Sequence, residues 1–145
     1  MTQDLAAVCH RLRVDHEGGD RFRIGIRQHT VRVDQPASDG GDDTAPTPSE
    51  LFVASLASCV AFYVRRFLSR HGLPVEGLSV TAEYAMASHP ARVATVDLQV
   101  DAPAELSPAQ QSALLAVASH CTVHATLLHP LEVRIELTAL TRGAA

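Results

Sequence analysis

The alternation of apolar and polar residues predicts a group of β-strands at the start of the chain. In 22-FRIGI-26 apolar residues occupy every second position, with arginines between and beside them, which is the period of a strand with one polar face. The segment 30-TVRV-33 is expected to be its hairpin partner. Residues 5–14 have a weaker pattern and suggest a first strand, ahead of the turn signal 17-EGGD-20. We therefore expect three strands before the first helix.

A long apolar segment with a cysteine near its middle, 47-TPSELFVASLASCV-60, begins with residues that start helices. Thr47 is a natural N-cap, Pro48 suits the first helical position, and Glu50 completes a capping box. A glycine and a proline follow shortly after Arg70. We therefore expect a helix that runs from this motif to about Arg70.

A second helix is predicted after another capping box, formed by Ser107 and Gln110. Its apolar stripe at helical spacing consists of Leu114, Val117, Ala118 and Cys121. Strands are predicted over 78–86 and 92–100, which alternate and fit a hairpin, and over 131–137 at the end. The order β-β-β-α-β-β-α-β predicts an α+β fold with two main helices against antiparallel sheet, and residues 1–145 are expected to form a single domain.

Composition narrows the class of protein. The 145 residues are 46% hydrophobic and 19% charged, with a formal net charge of −4, which argues against nucleic-acid binding. The longest near-apolar run, residues 51–64, is too short for a bilayer span of roughly 20 residues, and no signal peptide is evident. We expect a soluble, cytoplasmic protein with reduced cysteines and no membrane partner. The three cysteines show no CxxC spacing, so no metal site is predicted.

Cys59 and Cys121 are the candidate chemical groups. Each lies on a predicted apolar helix face, so the two sulfurs are expected to meet if the helices pack together. Buried free cysteine is common, and inert packing is the simpler interpretation. The alternative is a thiol pair, in which one thiolate attacks a peroxide and the other condenses with the sulfenic acid. A lowered cysteine pKa needs a nearby cation or histidine. The candidates are Arg21, Arg23, Arg27, Arg66 and His124.

The sequence resembles the OsmC/Ohr family. The resemblance is carried by 47-TPSELFVASLASC-59, by 34-DQP-36 with 40-GG-41, and by 114-LLAVASHCTVHATL-127, and it covers about residues 20–138. It implies an intertwined homodimer with active sites at the subunit interface, and the reduction of organic hydroperoxides without a metal or organic cofactor. A dithiol, lipoylated in some members, would recycle the disulfide.

The same resemblance implies roles for individual residues. Cys59 matches the peroxidatic cysteine and Cys121 the resolving cysteine. Arg21 is the best match for the arginine that assists the thiolate, with Arg23 or Arg27 as alternatives. Glu50 matches the glutamate at the head of the first helix in broader OsmC-like members.

The sequence departs from the family pattern at two positions. The organic-hydroperoxide branch has an acidic residue ten positions before the peroxidatic cysteine, and this chain has Ser49 there. Glu50, nine positions before, is turned to the opposite helix face from Cys59 and lies about 13 Å along the axis. It is therefore expected to cap its own helix, or to reach a site in the partner subunit. Many relatives have proline after the second cysteine, where this chain has Thr122.

Two function classes besides a peroxidase remain open at this level. One is an OsmC-like protein that binds a small hydrophobic ligand or senses redox state, with little turnover because of Ser49. The other is a structural dimer with inert thiols. The apolar surroundings of Cys59 favour an alkyl hydroperoxide over hydrogen peroxide. Cys9 is assigned no role.

Overall fold

The computed structural model describes residues 9–140 and Gly143. Two antiparallel sheets and three α-helices make up the described fold, as the α+β prediction expected. The elements are β1 (Leu12–Gly18), β2 (Arg21–Ile26), β3 (His29–Val33), α1 (Pro48–Arg70), β4 (Ser79–Ala87), β5 (Arg92–Asp101), α2 (Pro108–Ala118) and α3 (Thr122–Leu128).

The strands β1, β2 and β3 form an antiparallel sheet in sequence order. Its register places Val14 opposite Ile24 and Ile24 opposite Val31, so apolar residues align across one face. This confirms the hairpin predicted from alternation. The first strand begins later than predicted, at Leu12, and the predicted residues 5–8 lie outside the described part of the chain.

The loop after β3 is closed by a buried carboxylate. Asp34 is 1% exposed and accepts hydrogen bonds from Gln35 N at 2.8 Å, Thr44 N at 3.0 Å and Thr44 Oγ1 at 2.7 Å. The bonds from Thr44, its backbone N–H first, hold the pKa of Asp34 below its ordinary value. A Cβ on Gly41 would lie 2.0 Å from the Gln35 carbonyl oxygen. The tight return of this loop therefore requires glycine at position 41.

Helix α1 follows the predicted bounds closely. The capping box is present, because Thr47 N donates to Glu50 Oε2 at 3.1 Å and Glu50 N donates to Thr47 Oγ1 at 3.2 Å. A stripe at helical spacing is buried, and its members are Val53, Leu56, Val60, Val64 and Phe67. By length and composition alone α1 is also apolar enough to cross a bilayer, a test that the core helix of a soluble protein passes equally.

The second predicted helix is shorter than expected and a third helix follows it. Helix α2 has the predicted capping box at Ser107 and ends at Ala118. The side chains of Ser119 and His120 then bond back to backbone carbonyls one turn earlier, Ser119 Oγ at 2.8 Å and His120 Nδ1 at 2.6 Å. The chain straightens at Cys121 before α3 begins. The prediction that Cys121 belongs to the stripe of α2 is therefore wrong.

The predicted last strand has no partner within the chain. Residues 130–140 form neither helix nor strand, and the alternating apolar side chains of 131–137 point into solvent. Ile135 is 92% exposed and Leu137 is 90% exposed. A strand needs a neighbouring edge for its backbone hydrogen bonds, and none pairs with this segment in the described structure.

The chain divides into two compact units. One combines the residues up to Ala57 with Thr81–Gln99, and it contains the three-stranded sheet and most of the β4–β5 hairpin. The other combines Ser58–Val80 with the residues from Val100 onward, and it contains α2, α3 and the second half of α1. Both candidate cysteines lie in this second unit.

We expect Gly41→Ala to lower the free energy of unfolding by about 2–3 kcal/mol, because the added methyl group overlaps the Gln35 carbonyl. Gly25→Ala is the control, since its Cβ would be 4.0 Å from the nearest atom and alanine suits the strand better than glycine. Urea unfolding under reducing conditions measures both variants. Equal stability of the two variants would contradict the close approach at Gly41.

Candidate active site: a thiol pair

Cys59 lies in the middle of α1, at the edge of the buried stripe. Its neighbour Val60 is buried, whereas Cys59 itself is half-buried and retains access to solvent. One helical position corresponds to a rotation of roughly 100°, so a residue beside a buried one is turned partly away from the core. The sulfur is therefore held on a rigid element and is still reachable by a small molecule.

Cys121 is completely buried and is the N-cap of α3. Its Sγ accepts a hydrogen bond from His124 N at 3.3 Å, as the oxygen of a serine would at this position. The sequence analysis named His124 among the candidates for lowering a cysteine pKa. In the structure the backbone N–H of His124 makes the contact.

The Cys59 and Cys121 side chains are close enough to interact electrostatically, and both cysteines are free thiols. Burial raises the pKa of the Cys121 thiol above its ordinary value of 9.0, and the interaction with the neighbouring Cys59 raises it further. The backbone N–H groups of His124 and Val123 oppose this shift only in part. Cys121 is therefore a neutral thiol at neutral pH and lies directly beside the accessible Cys59. The arrangement suits a buried reaction partner better than a first nucleophile.

A hydrogen bond joins the surroundings of the two cysteines. Tyr63 Oη and Thr122 Oγ1 are 3.0 Å apart. Tyr63 lies one helical turn after Cys59, and Thr122 directly follows Cys121. The sequence identified Thr122 as a departure from the family pattern but did not indicate Tyr63 as its partner. The available signal was that Thr122, a hydroxyl residue, replaces the proline of many relatives.

A cavity of about 610 Å³ begins at Tyr63 and runs along the second half of α1 as far as His71. Its other wall is formed by small and apolar residues of α2, including Ala113, Ala116 and Val117. A volume of this size is typical of sites for small molecules. Arg66, Arg70, His71 and His120 also line this cavity, whose exposed surface is mainly apolar. It approaches the thiol pair through Tyr63, and neither cysteine is among its lining residues.

Arg66 lies in the second unit, with its guanidinium carbon 5.5 Å from the centroid of the Phe62 ring. The other predicted site residues lie in the first unit. Arg21 Nη1 binds Asp42 Oδ2 at 2.6 Å, and Glu50 completes the capping box of α1. Arg23 lies 3.6 Å from Asp15, and Arg27 lies in the turn between β2 and β3 with φ of 53°. The structure therefore brings together Cys59, Cys121 and the His124 backbone, and gives Arg21 and Glu50 local roles.

Within the residues that the structure describes, no group of three or more His, Cys, Asp or Glu side chains could hold a metal ion.

The fold and the site define an α+β protein with a pair of free thiols in contact. The family model for OsmC-like proteins matches residues 40–136. The chain belongs to the OsmC-like protein family. No curated protein matches the sequence.

Solved structures share the fold at low sequence identity. A Psychrobacter arcticus protein assigned to the osmotic stress and detoxification response is 24% identical, with a TM-score of 0.74 over 79% of this chain and 85% of that one. An organic hydroperoxide resistance protein OsmC from Legionella pneumophila is 21% identical, with a TM-score of 0.64 over 84% and 90%. An OsmC-like protein from Mycoplasma pneumoniae is 12% identical, with a TM-score of 0.71 over 86% and 90%. These similarities support the fold.

We expect the stability contribution of Cys121 to be pH-dependent. Its folded-state pKa is raised, so the contribution is complete below pH 9 and is lost as pH rises through the folded-state pKa. The free energy of unfolding of the wild type should therefore fall relative to that of Cys121→Ser as the pH rises above about 9. Urea unfolding of both proteins under reducing conditions measures the difference. Parallel pH profiles would contradict the raised pKa.

Proposed function

We propose that the protein is a cysteine-based peroxidase that reduces organic hydroperoxides, with Cys59 as nucleophile and Cys121 as resolving thiol. The observation that carries the proposal is the contact between an accessible thiol on α1 and a buried, neutral thiol at the start of α3. Membership of the OsmC-like family supports it. So does the similarity of the fold to that of the Legionella organic hydroperoxide resistance protein.

The proposed reaction has three steps. The Cys59 thiolate attacks the outer oxygen of the hydroperoxide, the O–O bond breaks, and the departing alkoxide takes up a proton to leave as an alcohol. Cys59 is then a sulfenic acid. The Cys121 sulfur attacks the Cys59 sulfur, the S–O bond breaks, and the hydroxide leaves as water with the Cys121 proton. A dithiol reductant returns two electrons and two protons to the resulting disulfide.

The position of each cysteine suits its step. Cys59 must meet substrate, and it is the cysteine of the pair that reaches solvent. Cys121 must wait for the sulfenic acid without reacting, and its burial and raised pKa keep it protonated. The apolar cavity that begins at Tyr63 supports an alkyl or aryl hydroperoxide rather than hydrogen peroxide.

Arg21 and Glu50 are proposed as assisting groups on the strength of the family pattern. Arg21 forms an ion pair with Asp42. To stabilise a thiolate, Arg21 would have to leave Asp42 or keep this ion pair while it contacts the thiolate. Glu50 is engaged in helix capping, and its proposed second role is to reach a site across a subunit interface. The cytoplasm, with its reduced thiols, is the proposed compartment.

We expect Cys59→Ser to consume cumene hydroperoxide at the background rate in the presence of a dithiol, because the nucleophile is lost. Cys121→Ser should complete one turnover and then accumulate a sulfenic acid that dimedone traps. Cys9→Ser is the matched control and should keep the wild-type rate, since Cys9 is an exposed thiol outside the pair. Wild-type activity in Cys59→Ser would refute the proposal.

The homodimer is part of the proposal, and the C-terminal segment supports it. The apolar side chains of 131–137 alternate and are exposed, and the segment belongs to no strand in the described structure. An unpaired segment of this kind can form backbone hydrogen bonds with a strand of another chain, and that pairing would bury its apolar face. We therefore propose that residues 131–137 add as a strand to a sheet of a second copy.

Ile135→Glu should convert the dimer to a monomer, because the new charge would lie in the subunit interface. Thr138→Glu introduces the same side chain directly after the segment, where a continued strand would turn it to the opposite face, and should leave the dimer intact. Light scattering coupled to size exclusion measures the mass of each protein. A monomeric wild type, or a dimeric Ile135→Glu, would remove the role assigned to this segment.

A further inference from the structure

The hydrogen bond between Tyr63 and Thr122 joins the two elements that carry the cysteines. Tyr63 lies four residues after Cys59, on the same side of α1, and Thr122 is the first residue of α3, directly after Cys121. The bond therefore spans 59 positions of sequence and ties α1 to the start of α3 next to both sulfurs.

The resolving step requires a defined approach of Cys121. Disulfide formation brings two sulfurs to about 2.05 Å and restricts the dihedral angle about the new bond. Cys121 Sγ begins the step as the N-cap acceptor of His124 N, so it has to leave that bond while its backbone stays close to α1. The hydrogen bond between Thr122 and Tyr63 can hold the backbone in place during this movement.

We propose that Tyr63 and Thr122 are positioning residues for the resolving step, holding Cys121 against Cys59 without touching the substrate. The proposal rests on the proposed peroxidase reaction. It assigns the hydroxyl of Thr122 a role that proline could not fill. Proline is well suited to the first position of a helix, but it has no hydroxyl to bond with Tyr63.

The position of the bond predicts which step depends on it. Cys59 is held by the backbone of α1, so its attack on peroxide does not need the Tyr63–Thr122 hydrogen bond. Cys121 is held at an extended residue between two helices, where the backbone has fewer internal hydrogen bonds. Loss of this hydrogen bond should therefore slow disulfide formation and leave sulfenic acid formation nearly unchanged.

Four single variants test whether the resolving step depends on the Tyr63–Thr122 hydrogen bond. Tyr63→Phe and Thr122→Val each remove one hydroxyl with little change in volume. Thr122→Ser keeps the hydroxyl and serves as the rescue variant. Tyr84→Phe makes the same chemical change at the other tyrosine of the chain, on β4.

In single-turnover experiments with cumene hydroperoxide, peroxide loss reports the first step and acid-quenched alkylation with mass spectrometry reports the disulfide. Tyr63→Phe and Thr122→Val should each slow disulfide formation about fivefold, the effect expected of one neutral hydrogen bond. The double variant should be no slower than either single variant. Thr122→Ser and Tyr84→Phe should match the wild type, and peroxide loss should stay within about twofold throughout.

An equal slowing of both steps would mean a general structural role and would overturn the proposal, as would wild-type rates of disulfide formation in both variants. A second measurement does not depend on peroxidase activity. In glutathione redox buffers, Tyr63→Phe and Thr122→Val should form the Cys59–Cys121 disulfide less completely than wild type. If wild type consumes no peroxide, the proposed function fails. An unchanged disulfide fraction in both variants would then refute the positioning pair as well.

Discussion

Burial of one stripe of α1 is the constraint on which the rest of the structure depends. The helix contributes to both compact units, and its buried side chains recur at helical spacing from Val53 to Phe67. Cys59 follows from this arrangement, because it lies one position from the buried Val60 and is turned partly out of the core. Its half-buried state is a consequence of helix geometry. The same stripe that stabilises the fold therefore leaves one sulfur rigidly held and accessible.

Cys121 combines a structural and a chemical position. Its sulfur caps α3 through His124 N and also contacts Cys59, so the start of a short helix and the thiol pair share one atom. Burial removes water from this sulfur and raises its pKa, which distinguishes two cysteines that are chemically identical in the sequence. The asymmetry of the pair is a property of the two environments. The proposed division of labour between nucleophile and resolving thiol depends on it.

The C-terminal segment indicates that a single chain does not satisfy its own hydrophobic pattern. Alternation over 131–137 is typical of a strand with one buried face, yet its apolar side chains are exposed and its backbone is unpaired in the described structure. Strand pairing requires a neighbour, and local propensity alone does not supply one. The proposed dimer accounts for the pattern and for the absence of a strand by the same physical argument.

Sequence alone determined the features that depend on local hydrogen bonds and on periodicity. The capping boxes at Thr47 and Ser107 are satisfied within three residues, and the β2–β3 hairpin follows from alternation. The bounds of α1 were predictable for the same reason. The candidate cysteines were also recognisable, since their spacing and flanking motifs lie in the sequence.

Only the tertiary structure decided which of these residues meet. The end of α2 depends on side chains that bond back to its last turn, and this moved Cys121 from a helix face to a helix cap. Arg21 binds the carboxylate of Asp42, 21 positions away, and Tyr63 hydrogen-bonds with the hydroxyl of Thr122, 59 positions away. Local rules cannot specify such pairs, because each depends on packing between elements distant in sequence. Burial, which sets the pKa of Cys121, is likewise a property of the folded chain.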